Sequence, residues 1–113
     1  SKHEKNKIIK MVKSVFNNKK LSHFYVNTDN VYSEREIYLS DGKVIKPDRM
    51  IFHENNEVSI LDYKTGKPKI SDKNQIIDYI SELEKNSYMV REAFLVYLGK
   101  KTSIIDLISA DHH

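Results

Sequence analysis

The sequence of 113 residues predicts a mixed α/β (α+β) domain, in which a central mixed sheet is flanked by helices. Three strand-like runs joined by turn signals form a meander, and an amphipathic helix precedes them. A second helix separates the third run from a fourth that is apolar enough to be a buried central strand. The predicted order is α-β-β-β-α-β-β, and a helix between the third and fourth strands allows them to be parallel neighbours.

Two helices are predicted from apolar residues that recur at helical spacing. The first covers Lys5–Phe16, with lysines between its apolar positions. The second begins with a cap at Ser71 or Asp72 and runs to about Lys85. A short segment between the first helix and the strands, Leu21–Val26, is predicted to be a helical turn or an irregular connection.

Five strands are predicted, at Val31–Leu39, Val44–Phe52, Val58–Lys64, Arg91–Leu98 and Thr102–Ile108. The first two are joined by Ser40-Asp41-Gly42-Lys43, which is a hairpin turn signal. Pro47 cannot donate a hydrogen bond to a sheet ladder, so it predicts a bulge or break just before Asp48.

Composition limits the classes of protein to which the chain can belong. Its 39% hydrophobic and 31% charged residues are ordinary for one globular domain covering residues 1–113. No apolar run is long enough to cross a bilayer, so no membrane partner is expected. With no cysteine there is no disulfide framework, thiolate metal site or Fe–S cluster, which suits a reducing cytoplasm.

The chain is mildly basic, with a net charge of +3 and a pI near 9.0. This charge fits a polyanionic partner such as nucleic acid. A solvated basic face is the alternative interpretation, and charge alone does not decide between them.

Two carboxylates and a lysine stand at the ends of neighbouring predicted strands. Asp48 follows Pro47, and Asp62 is followed two residues later by Lys64, which gives the pattern Pro-Asp-x13-Asp-x-Lys. Carboxylate oxygens hold hard divalent cations, and an ammonium can orient water or neutralise developing charge. Because side chains alternate along a strand, Asp62 and Lys64 are expected on one face. The arrangement suits metal-assisted phosphodiester hydrolysis.

Two further pairs accompany these residues. Gln75 and Tyr79 lie one helical turn apart, on the shoulder of the second helix's apolar stripe. Spacing alone favours an ordinary helix flank for them. Glu34 and Glu36 are predicted to share one face of the first strand, where a carboxylate is normally solvated or paired.

Together these motifs resemble the PD-(D/E)xK nuclease superfamily. The residues that carry the resemblance are Glu36, Pro47-Asp48-Arg49, the block Leu61–Gly66, and Gln75 with Tyr79. More narrowly, the sequence is similar to the RecB-like nuclease domains at the C-terminal end of helicase–nucleases of the RecB and AddA type. The family's core is restriction-endonuclease-like, with the element order αβββαβ.

The resemblance covers about Val31–Leu98 and implies roles for individual residues. Asp48 and Asp62 would bind Mg²⁺ or Mn²⁺, with the backbone carbonyl of Tyr63 as a third ligand. Lys64 would position the attacking water and stabilise the transition state.

The remaining implied roles are accessory. Gln75 and Tyr79 would line the DNA path and brace the site, and Lys67 would join them in nucleic-acid binding. Glu36 matches an acidic position on the family's first core strand. Many relatives also carry a metal-binding His or Glu on a helix before that strand, and His3 is a poor match for it.

The resulting hypothesis is a Mg²⁺-dependent DNA nuclease, an exonuclease of DNA repair or recombination. Its partners would be DNA and the rest of a larger cytoplasmic helicase–nuclease. Two alternatives remain open. One is a non-catalytic nucleic-acid-binding module of the same fold, and the other is a structural or interaction domain with solvated charges.

Overall fold

The computed structural model describes residues 2–99 and 101–108. In these residues the α-helices are α1 (Lys2–Phe16) and α2 (Ile70–Lys85), and short 3₁₀ turns cover Ser22–Tyr25 and Glu54–Asn56. The strands are β1 (Val31–Ser33), β2 (Ile37–Tyr38), β3 (Val44–Ile45), β4 (Arg49–Phe52), β5 (Glu57–Thr65), β6 (Met89–Leu98) and β7 (Ser103–Asp106). Neither helix is both long enough and apolar enough to cross a membrane.

The main sheet has five strands in the order β1-β4-β5-β6-β7, and β2 and β3 form a separate two-stranded ribbon. β5 and β6 are parallel, whereas the other neighbours in the main sheet are antiparallel. The predicted mixed α/β class is therefore confirmed, as is the parallel pairing across α2. Without the ribbon, the chain order α1-β1-β4-β5-α2-β6 is the predicted αβββαβ core.

The first two predicted strands are each broken, and only the break in the first strand corrects a predicted continuity. Glu34 has a φ of 52°, in the left-handed region, and β1 ends at the residue before it. β3 ends at Ile45 and β4 begins at Arg49, so the predicted break at Pro47 is confirmed. The two breaks face each other, since the Glu34 N–H donates to the Asp48 carbonyl at 2.9 Å.

The β2–β3 ribbon leaves the main sheet at these breaks and packs beside α2. Its tip is held at the end of that helix, where the Asn86 side-chain oxygen accepts hydrogen bonds from the Ser40 hydroxyl at 2.6 Å and from the Asp41 N–H at 3.2 Å. Its inward residues Leu39 and Ile45 are buried. The ribbon is therefore fixed relative to α2, and it leads directly into Asp48.

The core lies on both faces of the main sheet. On the α2 face the buried residues include Met50, Val58, Ile60, Ile76, Leu83 and Leu95. On the α1 face they include Val15, Leu21, Phe24, Ile51, Leu61 and Phe94. Because side chains alternate along β5, Asp62 follows Ile60 onto the α2 face, and Tyr63 follows Leu61 onto the α1 face.

Helix and strand ends differ from the predictions by a few residues. α1 begins at Lys2 rather than Lys5, and α2 begins at Ile70 but ends at Lys85 as predicted. β7 is shorter than its predicted range, because it covers only Ser103–Asp106. None of these differences moves a candidate site residue.

Candidate metal centre

Asp48 and Asp62 meet where the β4–β5 ladder ends. The last paired residues are Arg49 and Leu61, so each acid lies one residue beyond the ladder. The Asp48 N–H donates to Asp62 Oδ1 at 2.7 Å, and the Tyr63 N–H donates to Asp48 Oδ2 at 2.8 Å. Each carboxylate therefore bonds to the backbone of the other strand, and this reciprocal pair brings the two acids together.

The same two bonds leave oxygen atoms for a cation. Asp48 Oδ1 and Asp62 Oδ2 take no part in the reciprocal pair. The Tyr63 carbonyl faces the same edge, because the N–H and C=O of one strand residue point the same way. Two carboxylates and a carbonyl are hard oxygen donors that fit Mg²⁺ or Mn²⁺, with water at the remaining positions. Among the described residues, no three His, Cys, Asp or Glu side chains are grouped to hold a metal.

Asp62 lies in a buried environment that disfavours its charged form. The residue is only 3% exposed. The pKa of its carboxyl is raised to about 6, chiefly by burial; the Asp48 N–H and Lys64 oppose the rise, and the charge of Asp48 adds to it. A buried carboxylate beside a second acid is stabilised by nearby positive charge. A bound divalent cation would supply that charge.

Lys64 extends from β5 to α2 on the same face as Asp62. Its ammonium donates to Gln75 Oε1 at 2.6 Å, and Gln75 Nε2 donates to the Tyr79 hydroxyl at 3.2 Å. The Tyr79 hydroxyl in turn lies 3.4 Å from the Lys46 carbonyl, to which it donates. Lys64, Gln75 and Tyr79 therefore form one hydrogen-bonded line, which ends two residues before Asp48.

The line runs close to the acids. Burial raises the pKa of Tyr79, and the charges of Asp62 and Asp48 both raise it further. A helix flank exposed to solvent has no such neighbours. The contacts therefore favour a place at the candidate site for Gln75 and Tyr79, where spacing alone favoured a simple flank.

Three other candidate residues make no described hydrogen bond or ion pair with the acids. Glu36 is exposed between β1 and β2, where it accepts a hydrogen bond from the Tyr38 hydroxyl at 2.7 Å. The expectation that Glu34 and Glu36 share a face of one continuous strand is wrong, because the strand breaks at Glu34. Lys67 is exposed in the loop after β5 and makes no hydrogen bond or ion pair with a described residue. His3 is exposed on α1.

Two residues for which the sequence predicts no role, Arg49 and Tyr25, lie behind the acids. The Arg49 guanidinium lies 4.5 Å from the centre of the Tyr25 ring and donates to the Phe24 carbonyl at 3.3 Å. The Tyr25 and Tyr63 hydroxyls are hydrogen-bonded. The sequence could have predicted the position of Arg49, since the residue after Asp48 must point to the opposite face. It could not have predicted the position of Tyr25, which comes from the 3₁₀ turn.

Comparison with known proteins shows the fold only. No protein-family model matches the chain, and no curated protein matches it. The chain is similar to the solved structure of SSO0001, with a TM-score of 0.50 and 22% sequence identity. The similarity covers 78% of this chain and 47% of that one, so this chain spans about half of its length. At this identity the shared property is the arrangement of helices and strands.

Proposed function

We propose that this chain is a metal-dependent DNA nuclease domain that hydrolyses phosphodiester bonds. The observation that carries the proposal is the reciprocal bonding of Asp48 and Asp62 at the end of the β4–β5 ladder, with Lys64 on the same face as Asp62. The resemblance of these motifs to PD-(D/E)xK nucleases supports it independently of the geometry. The similarity to SSO0001 supports the fold alone.

The metal would be Mg²⁺ or Mn²⁺, held by Asp48, Asp62 and the Tyr63 carbonyl. A divalent cation at these oxygens would supply positive charge to the scissile phosphate and lower the pKa of a bound water. Since only two carboxylates among the described residues converge here, we expect weak binding of the cation when DNA is absent.

Lys64 supplies the positioned ammonium of the site. Its hydrogen bond to Gln75 fixes one of its three donors, which leaves the others for a water or a phosphate oxygen. Such a preorganised cation stabilises the charge that develops on phosphate during hydrolysis. Tyr79 holds Gln75 in place from the next turn of α2. Lys67, exposed in the loop after β5, would contact the DNA backbone.

The biological setting that we propose follows the resemblance. The domain would act as the exonuclease module of a cytoplasmic helicase–nuclease in DNA repair or recombination. The net charge of +3 is modest, so we expect weak, salt-sensitive DNA binding by this domain alone. The rest of the larger protein would then deliver the DNA.

A cleavage assay tests the proposal directly. Labelled linear and circular DNA are incubated with the wild-type protein and Mg²⁺, Mn²⁺ or EDTA. Degradation of linear DNA that requires the metal supports an exonuclease, and cleavage of circles indicates an endonuclease. Asp62→Ala and Lys64→Ala are expected to lose activity, whereas Glu54→Ala, at the far end of β5, serves as the control. Metal-independent cleavage, or cleavage by Asp62→Ala at the wild-type rate, would contradict the proposal.

A second candidate function is a nucleic-acid-binding module that does not cleave. The observation that favours it is the lack of a third His, Asp or Glu ligand among the described residues. Binding of DNA without cleavage, unchanged by Asp62→Ala, would support this candidate over the nuclease.

A further inference from the structure

A compact polar and aromatic group lies directly behind the candidate metal centre. It consists of Tyr25, Arg49 and Tyr63 and is called the rear cluster. We propose that the rear cluster positions the metal donors, so that Arg49 and Tyr25 set the affinity for the cation although neither contacts it. This inference rests on the proposed function, because it assigns a role to residues behind that same site.

Two residues of the rear cluster are neighbours of the two acids along the chain. Arg49 follows Asp48, and Tyr63 follows Asp62, so each acid on the α2 face is joined to a cluster residue on the α1 face. Any displacement of Arg49 or Tyr63 therefore moves the backbone of the neighbouring acid. Through this connection the cluster acts on both carboxylates.

Arg49 and Tyr63 both contact the 3₁₀ turn that precedes the strands. The 3₁₀ turn provides a fixed reference, because Phe24 is fully buried in the α1-face core. Arg49 is held to this turn twice, by its hydrogen bond to the Phe24 carbonyl and by stacking on the Tyr25 ring. Tyr63 is held to it by the bond between its hydroxyl and that of Tyr25. The start of β4 and the end of β5 are thus attached to one anchor.

At the acids themselves, β4 and β5 are no longer paired in a ladder. The β4–β5 ladder ends at Arg49 and Leu61, and beyond it the direct bonds described between the two strands are the carboxylate–amide bonds of Asp48 and Asp62. Two anionic side chains side by side repel each other when no cation is present. A support from behind keeps the donors, including the Tyr63 carbonyl, at the spacing that a cation requires. Residues that orient metal ligands typically contribute 10- to 100-fold to affinity.

Simple packing of the 3₁₀ turn is the competing explanation, and the two differ in what a mild substitution changes. A packing role predicts a lower melting temperature with unchanged metal affinity of the folded protein. A positioning role predicts weaker metal binding at temperatures where the variant is fully folded. Metal affinity measured on folded protein therefore separates them.

The test is titration of the metal-free protein with Mn²⁺, followed by calorimetry or electron paramagnetic resonance. We expect Arg49→Lys to weaken Mn²⁺ binding by roughly 10-fold, because lysine keeps the charge but loses the planar group that stacks and bonds at once. Tyr25→Phe keeps the ring, and we expect it to weaken binding by a smaller factor. Arg91→Lys is the matched control, since Arg91 pairs with Glu57 at the opposite end of β5 at 3.2 Å.

A double-mutant cycle adds a second readout. If the two hydroxyls act as one contact, Tyr25→Phe combined with Tyr63→Phe weakens Mn²⁺ binding no more than either change alone. If Arg49→Lys does not fold, Tyr25→Phe and this cycle carry the test.

The outcomes are distinct. Wild-type Mn²⁺ affinity in the folded Arg49→Lys and Tyr25→Phe proteins overturns the inference and leaves the proposed function standing. Failure of the wild-type protein to bind Mn²⁺ even when DNA is present overturns both. Weaker binding in the two variants, with Arg91→Lys unchanged, supports the positioning role.

Discussion

The two ends of β5 carry polar groups of opposite character. At its carboxyl end, Asp62 is buried beside a second acid, and the pKa of Asp62 is raised to about 6, chiefly by burial. At its amino end, the Ser59 hydroxyl is also buried, but it donates to Glu92 Oε1 at 2.8 Å and contacts His53 Nε2 at 2.8 Å. His23 Nε2 lies 2.8 Å from the same Glu92 oxygen. One end brings two carboxylates together, and the other is a set of matched donors and acceptors.

This difference separates a candidate site from a structural network. Buried polar groups that satisfy one another stabilise and specify a fold. Two carboxylates placed together cost stability unless a cation joins them, and this cost is the physical basis of the proposed metal site. The comparison also explains why His23 and His53 are the weaker candidates here, although histidine is a common metal ligand. Their ring nitrogens already face hydrogen-bonding partners.

The largest expected effect is on the cleavage rate, when Asp62 at the carboxyl end of β5 is replaced. Asp62→Ala is expected to reduce the cleavage rate on the order of 10²- to 10³-fold, because it removes a proposed metal ligand. Ser59→Ala is expected to leave the rate per folded molecule unchanged and to lower the free energy of unfolding by about 1–3 kcal/mol, since Glu92 and His53 lose a buried partner. Rates at saturating Mg²⁺ and denaturant unfolding measure the two effects. Equal rates in the two variants would abolish the distinction.

A smaller effect is expected when the line from Lys64 to Tyr79 is cut. Gln75→Ala leaves the ammonium of Lys64 without its side-chain partner on α2, and we expect the catalytic rate to fall about 10-fold with little change in folding. Asn74→Ala, an exposed neighbour on the same helix, is the control. If both variants cleave at the wild-type rate, Gln75 is only a helix flank.

The pH dependence of metal binding provides a third test. Because a carboxylate must lose its proton to bind a cation, the raised pKa of Asp62 predicts that the half-saturating Mg²⁺ concentration rises as pH falls below about 6. The rise should approach roughly 10-fold per pH unit. Cleavage measured against Mg²⁺ concentration between pH 5 and pH 8 reports it. A half-saturating concentration that is constant over this range would exclude Asp62 as the titrating ligand.

The stability of the metal-free protein should change with pH in opposite directions at the two ends of β5. The folded state raises the pKa of Asp62, so its contribution to stability is present below about pH 4 and is lost as pH rises through about 6. Burial and Arg91 lower the pKa of His53, so its contribution is present above about pH 6.5 and is lost as pH falls. Asp62→Asn should therefore stabilise the metal-free protein at pH 8, and His53→Gln should reduce the loss at acidic pH.

The His53 effect should be the smallest of those considered, because the side chain is partly exposed to screening solvent. Thermal melts of the two variants and wild type between pH 4 and pH 8, all in EDTA, measure both changes. Parallel curves of stability against pH for Asp62→Asn and wild type would show that the surroundings of Asp62 do not disfavour its charged form.

Local patterns in the sequence predicted much of the fold and the centre of the site. Alternation along β5 placed Asp62 and Lys64 on one face, and the missing N–H of Pro47 predicted the break before Asp48. The break at Glu34 was not predictable, because glutamate carries no signal for a left-handed backbone and the break depends on the bond to Asp48. Tyr25 was missed for a related reason. Its contact with Tyr63 joins segments 38 residues apart, and no periodicity records such a contact.

One helix fixes both halves of the site. α2 holds the tip of the β2–β3 ribbon through Asn86 and the exit of the ribbon through the bond from Tyr79 to the Lys46 carbonyl. The same helix carries Gln75, the partner of Lys64. A shift of α2 along its axis would therefore displace the ammonium and pull on the segment that leads into Asp48 at the same moment. The Lys64 ammonium and Asp48 are mechanically linked, so such a motion would disengage them together.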